Sequence, residues 1–207
     1  MSKVLVELVG TFFLVLVIGL TVIMPGAGDL APFAIGAILM VMVYAGGPIS
    51  GAHYNPAVTL AVWLRGKCPT SDVAPYMFAQ VIGAGFAAWA VGLLKVGSVV
   101  VPLQLDPARA LAVELLFTFA LATVVLNVAT SRQAAGNSYF GLAIGMTVTA
   151  GAYAAGAISG AAFNPAVAIG AMLMGMIAVR DLWIYLLGCF AGAALAALFF
   201  RATHPKE

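Results

Sequence analysis

Apolar residues run along this chain in long blocks separated by short polar breaks. Six blocks approach the roughly 20 residues that a helix needs to cross a bilayer. They predict spans near 4–24, 32–48, 73–94, 108–129, 139–157 and 181–201. Two further apolar pieces, near 55–65 and 164–176, lie after the second and fifth spans and are too short to cross. About 11 residues at 1.5 Å rise cover roughly 16 Å, half the hydrocarbon core. Each is therefore predicted to be a re-entrant half-helix, since backbone that enters and leaves from one side must be buried in protein or line a wet cavity. The expected fold is an all-α membrane protein of six transmembrane helices and two re-entrant half-helices.

Composition agrees with that environment. With 64% apolar and 8% charged residues and a mean hydropathy of +1.12, the chain cannot coat a water-soluble surface. Its 207 residues leave no space for a soluble catalytic domain. The first apolar run is too long for a removable signal peptide and lacks a small-residue cleavage site, so it reads as the first span. A net charge of +2, with the charges scattered, does not suggest a nucleic-acid surface. Cys68 falls in a polar loop and Cys189 in the last apolar run, which argues against a disulfide framework. No metal-ligand spacing appears and no cofactor is implied. No acid–base pair or activated nucleophile stands in a plausible pocket, so enzymatic activity is not expected.

The chain also repeats itself. Ile49-Ser50-Gly51-Ala52-His53-Tyr54-Asn55-Pro56-Ala57-Val58 returns as Ile158-Ser159-Gly160-Ala161-Ala162-Phe163-Asn164-Pro165-Ala166-Val167, 109 positions later. Gly36, Tyr76 and Gly83 match Gly145, Tyr185 and Gly192 at the same offset, and Val6-Glu7-Leu8 answers Val113-Glu114-Leu115. Two halves, about 1–100 and 101–207, then each hold three spans and one half-helix within a single membrane domain. An odd number of crossings per half turns the second copy over, giving an inverted repeat about an axis in the membrane plane. The two half-helices meet near mid-membrane.

Their starts carry the chemistry. Proline suits the first turn of a helix because its missing N–H would have no partner there. Asn55-Pro56 and Asn164-Pro165 thus read as N-cap and first helical residue. The asparagine amides keep donors that can face a permeating molecule. Each helix start carries roughly half a positive charge, so two starts aimed at one point oppose a cation or proton.

With both Asn-Pro-Ala signatures intact, Asn55-Pro56-Ala57 and Asn164-Pro165-Ala166, the chain resembles the aquaporin and aquaglyceroporin family, the major intrinsic proteins, over nearly its whole length. The resemblance implies six tilted spans around one pore per subunit, a homotetramer, and passive conduction of water or small neutral solutes, with Asn55 and Asn164 as pore donors. The barrier raised by paired half-helix dipoles is a known property of that family, and the resemblance implies it for this chain. Glu7 and Glu114 are the carboxylates inside spans. In the family, matching glutamates brace the re-entrant loops, so bracing is expected over a proton or substrate relay. His53 is expected to brace the loop or face the pore mouth rather than act as a pH gate.

One departure changes the expected selectivity. Relatives usually place Arg directly after the second Asn-Pro-Ala, and this chain places Val167 there. The resemblance maps the other filter positions to Ile35, Ala152 and Ala161, where a water-selective relative typically carries an aromatic ring, a His and a small residue. Losing that bulk and the five guanidinium donors predicts a wider, more apolar aperture. Such a pore could admit larger polyols, metalloid acids or weak-acid anions, or could close by dewetting. An ion-coupled transporter and a structural junction protein on the same fold stand as alternatives. Lys3, Arg65, Lys67, Arg132, Arg201 and Lys206 fall on one side against Lys95, Arg109 and Arg180 on the other. This asymmetry predicts cytoplasmic termini, in a bacterial or archaeal plasma membrane given the short termini and the absence of a glycosylation acceptor.

Overall fold

A computed structural model describes residues 1–207 and contains eight helices. They are α1 (Ser2–Val22), α2 (Ala31–Ser50), α3 (Pro56–Leu64), α4 (Thr70–Leu94), α5 (Pro107–Val125), α6 (Phe140–Ser159), α7 (Pro165–Leu173) and α8 (Leu182–Thr203). Six are long and apolar enough to cross a membrane. The half-helices α3 and α7 have nine residues each, about 14 Å at 1.5 Å per residue.

Helix boundaries move from the expected spans by a few residues, for local reasons. The second apolar piece reads to 176, but α7 stops at Leu173 because Gly175 takes φ +78° and Met176 N–H closes back onto the Ala171 carbonyl. The first half-helix ends the same way, at Gly66 with φ +82° and a bond from Lys67 N–H to the Val62 carbonyl. Both are glycine-terminated helix ends whose 6→1 bond satisfies an orphan carbonyl. The fourth span departs further: beyond Val125 it becomes a π-helical turn, Leu126–Thr130. Cys68 lies in its expected loop but is buried, and both cysteines are free thiols.

Close helix crossings position everything else. A Cβ at Gly83 on α4 would lie 2.4 Å from the Leu8 carbonyl oxygen of α1, and one at Gly192 on α8 would lie 2.5 Å from the Leu115 carbonyl oxygen of α5. Gly36 and Gly145 bring α2 against α6, where a Cβ on either would lie 2.4–2.6 Å from the other's carbonyl oxygen. Backbones this close are the packing expected in a bilayer, where small residues replace the hydrophobic drive that water supplies elsewhere.

Side-chain bonds identify the two faces. On the terminal face, Lys3 meets Asp72 of α4 at 3.3 Å, Arg201 donates to the Leu64 carbonyl, and Arg65 meets Glu207 at 2.7 Å. Glu207 also accepts from Ser131 Oγ and the Arg132 N–H, at 3.1 and 2.8 Å, tying the loop after α5 to the loop after α3. On the opposite face, Lys95 at the end of α4 donates to the Ile23 carbonyl at 2.9 Å, and Tyr153 Oη donates to the Asp29 carbonyl at 2.8 Å.

Candidate pore and its lining

The two half-helix starts meet head to head. Asn55 and Asn164 hold nearly equal extended backbones, φ −157°, ψ 119° and φ −158°, ψ 116°. Each side-chain oxygen caps its own helix, accepting from the N–H groups of Ala57 and Val58 or of Ala166 and Val167. Each amide then crosses to the other loop: Asn55 Nδ2 donates to the Phe163 carbonyl and Asn164 Nδ2 to the Tyr54 carbonyl, both at 2.9 Å. An amide nitrogen has two hydrogens, so one remains on each asparagine, and both residues line the same cavity. Pro56 and Pro165 occupy the first helical positions, and Ala57 and Ala166 are fully buried behind them.

The loops leading into these caps are strained. Ala52, Tyr54, Ala161 and Phe163 have φ between 48° and 54°, a region that ordinary side chains occupy only when the surroundings impose it. Part of that imposition is steric. The Tyr54 ring fills the space left by Gly10 and Gly46, and the Phe163 ring fills the space left by Gly151 and stacks on Phe117 at 5.2 Å. The rest comes from the two buried carboxylates.

Glu7 accepts at Oε1 from Ser50 Oγ (2.7 Å) and the His53 N–H (2.9 Å), and at Oε2 from the Tyr54 N–H (2.7 Å) and Gln80 Nε2 (2.8 Å). Glu114 accepts from Ser159 Oγ (2.6 Å), the Ala162 N–H (3.0 Å), the Phe163 N–H (2.7 Å) and Cys189 Sγ (3.6 Å). Tyr76 and Tyr185 complete the arrangement by donating to the Ser50 and Ser159 carbonyls. The halves differ in one respect. Gln80, His53 and Thr59 form a polar cluster in the first, and at the offset of 109 the second has Cys189, Ala162 and Ala168. Thr59 Oγ donates its one hydrogen to the Asn55 carbonyl (3.0 Å) and is approached by Gln80 Nε2 (3.0 Å) and His53 Nδ1 (3.1 Å). His53 Nδ1 is therefore the donor, which leaves Nε2 of the neutral ring as an acceptor.

A cavity of about 390 Å³ runs along the axis past both asparagines, and 26 of its 32 lining residues are apolar. Ile35, Ala152, Ala161 and Val167 all lie on this wall, with Val167 only 6% exposed. Glu7 and Glu114 are fully buried and do not reach it, whereas His53 does. Sequence reasoning missed several residues. Val99, Val100, Val101 and Leu103 in the loop before α5 line the mouth on the opposite face, where the Leu103 N–H donates to the Met176 carbonyl at 3.1 Å. Gln80, Ser50, Ser159 and Thr59 were legible only as scattered polar residues; the signal was that each stands in or beside an otherwise apolar helix.

Comparison with known proteins agrees with this architecture. The sequence profile of the major intrinsic protein family matches residues 1–200. A probable aquaporin NIP-type of Nicotiana alata is 34% identical over 227 residues, covering 100% of this chain and 79% of its own. A glycerol uptake facilitator protein-like 6 of Lactiplantibacillus plantarum is 38% identical over 219 residues and is matched from end to end, 100% of each chain. The solved aquaglyceroporin of Plasmodium falciparum shares the fold, with a TM-score of 0.81 over 96% of this chain and 94% of its own, at 19% identity. With that profile spanning the pore, both caps and the braced loops, the chain belongs to the major intrinsic protein family, whose members are multi-pass membrane channels for small solutes and not enzymes.

Proposed function

We propose that this protein is a passive channel for uncharged solutes larger than water, with water itself able to follow, and that its selectivity is relaxed by the ring Ile35, Ala152, Ala161 and Val167. The single observation that carries this reading is Val167 on the pore wall, directly after the second Asn-Pro-Ala, where a guanidinium would otherwise narrow the aperture and hold a fixed positive charge. Asn55 and Asn164 serve as the pore donors, while Glu7, Glu114 and the His53 backbone brace the re-entrant loops. His53 is the one Asp, Glu, Lys, Arg or His side chain on the cavity wall, which favours passive flow over ion coupling. Cation exclusion then rests on the paired half-helix starts alone, and polyols and undissociated metalloid acids are the candidate permeants.

The two repeats, about 1–100 and 101–207, form one pore per subunit of a homotetramer. The Lys and Arg asymmetry supports a cytoplasmic terminal face in the plasma membrane, and the end-to-end match with a bacterial facilitator supports a bacterial source. The test is stopped-flow light scattering on proteoliposomes of the wild type and Val167→Arg. The Arg variant is expected to keep water flux and lose glycerol flux by about tenfold or more, the discrimination that an added side-chain segment gives in an apolar pocket. Equal glycerol flux in both proteins would contradict the reading.

A further inference from the structure

The internal repeat extends to the pore wall. At the offset of 109, Ala152, Ala161 and Val167 correspond to Val43, Ala52 and Val58, and Ile35 corresponds to Ile144. All eight residues line the same cavity. The correspondence is geometric as well as sequential: Gly51 and Gly160 cap α2 and α6 at φ 89° and 83°, and Ala52 and Ala161 follow at φ 51° and 54°. Each filter residue on the opposite side of the asparagines therefore has an image on the terminal side.

We infer that the size limit of this pore is set on the terminal side, by the image ring of Val43, Ala52, Val58 and Ile144, and not by the ring that holds Val167. The inference rests on the reading of the protein as a passive solute channel and deepens it. Three observations support it. First, the two rings differ at a single position, where Val43 stands opposite Ala152, so the terminal-side ring has two more side-chain carbons. Second, every member of the terminal-side ring is less accessible than its image. Ile144 is 5% exposed against 9% for Ile35, and Val58 is 3% against 6% for Val167. Val43 and Ala52 are buried while Ala152 and Ala161 are only half-buried. Third, the cavity extends from the opposite mouth past both asparagines to the terminal side, where a separate cavity of about 320 Å³ shares His53 and Val125 with it. Val43, Ala52, Val58 and Ile144 line the first cavity and not the second, so the ring belongs to the terminal end of the continuous cavity.

The physical origin is the substitution at 167. An arginine there would make the opposite side the tighter one, and with valine the two rings become near copies, so one residue pair decides between them. The order of events for a permeant follows: it clears an apolar ring, reaches the two free amide hydrogens of the asparagines, and is sized at the ring that holds Val43. Val43 is thus a specificity-determining residue.

The test compares Val43→Ala, Val43→Ile and Ala152→Val with the wild type in proteoliposomes, reading glycerol and erythritol permeability. Val43→Ala is expected to raise erythritol permeability by about tenfold and Val43→Ile to lower it by about tenfold, the range for a changed side-chain segment in an apolar site. Ala152→Val makes the rings alike and is expected to lower flux by about half, as for two similar barriers in series along a multi-site pore. Because the two Val43 variants have opposite expected signs, the test stands if one of them fails to insert. Erythritol flux unchanged by both Val43 variants but abolished by Ala152→Val, with glycerol still conducted, would overturn this inference alone. A wild type that conducts neither solute above empty liposomes would overturn the channel reading, and this inference with it.

Discussion

At the scale of single residues, the pore depends on two carboxylates that never touch it. Glu7 and Glu114 each gather four donors, and those bonds fix backbone whose φ values no Ala, Tyr or Phe adopts without support. Replacing either by alanine leaves buried N–H and O–H groups unpaired, at about 1–3 kcal/mol each. Glu7→Ala and Glu114→Ala are both expected to lose more than about 3 kcal/mol. Glu7→Ala should be the worse, because it leaves one amide hydrogen of Gln80 unpaired, the other staying on Thr59 Oγ, where Glu114→Ala strands only the weak thiol donor of Cys189. Thermal unfolding in detergent reads this directly, and unfolding midpoints equal to the wild type would contradict the bracing role. The asymmetry between Gln80 and Cys189 is visible in the sequence at the offset of 109, but its meaning is not. Only the fold brings position 80 and its image to the carboxylates.

At the scale of elements, the half-helices α3 and α7 supply both shape and field. Their existence and their caps were legible because Asn-Pro is a start signal with a physical cause, and because apolar pieces of about 11 residues cannot span a bilayer. The head-to-head bonds from Asn55 to Phe163 and from Asn164 to Tyr54 were not, since they join positions 108 and 110 apart. Asp caps a helix as well as Asn does, so Asn164→Asp isolates the electrostatics from the capping. It keeps an oxygen for the Ala166 N–H, removes the pore donor and the bond to the Tyr54 carbonyl, and places a negative charge at the meeting point of the dipoles. The expected outcome is a less stable but folded channel with a measurable sodium or proton leak in dye-loaded vesicles. A cation-tight variant would show that the exclusion barrier lies elsewhere than at these helix starts. The π-helical turn at Leu126–Thr130 and the pore-mouth segment Val99–Leu103 illustrate the limit of pattern reading. Neither has a periodicity of its own, and the second is held by long-range contacts such as the bond from Leu103 to Met176.

At the scale of the whole molecule, duplication and inversion give two rings on either side of one pair of asparagines, and the replacement of the family's usual arginine by Val167 brings those rings close to equality. The positions proposed for the filter follow from the resemblance, and Ile35, Ala152, Ala161 and Val167 line the cavity. What the resemblance could not show is that the opposite ring is the more accessible one, because accessibility depends on the packing of all the helices around the pore. The central claim is that an apolar, arginine-free pore conducts solutes larger than water. It is tested most directly by the glycerol permeability of wild-type proteoliposomes in an osmotic gradient, measured by stopped-flow light scattering against empty liposomes. The account predicts glycerol flux well above the lipid background at low activation energy. Water flux with no glycerol flux above background would contradict it.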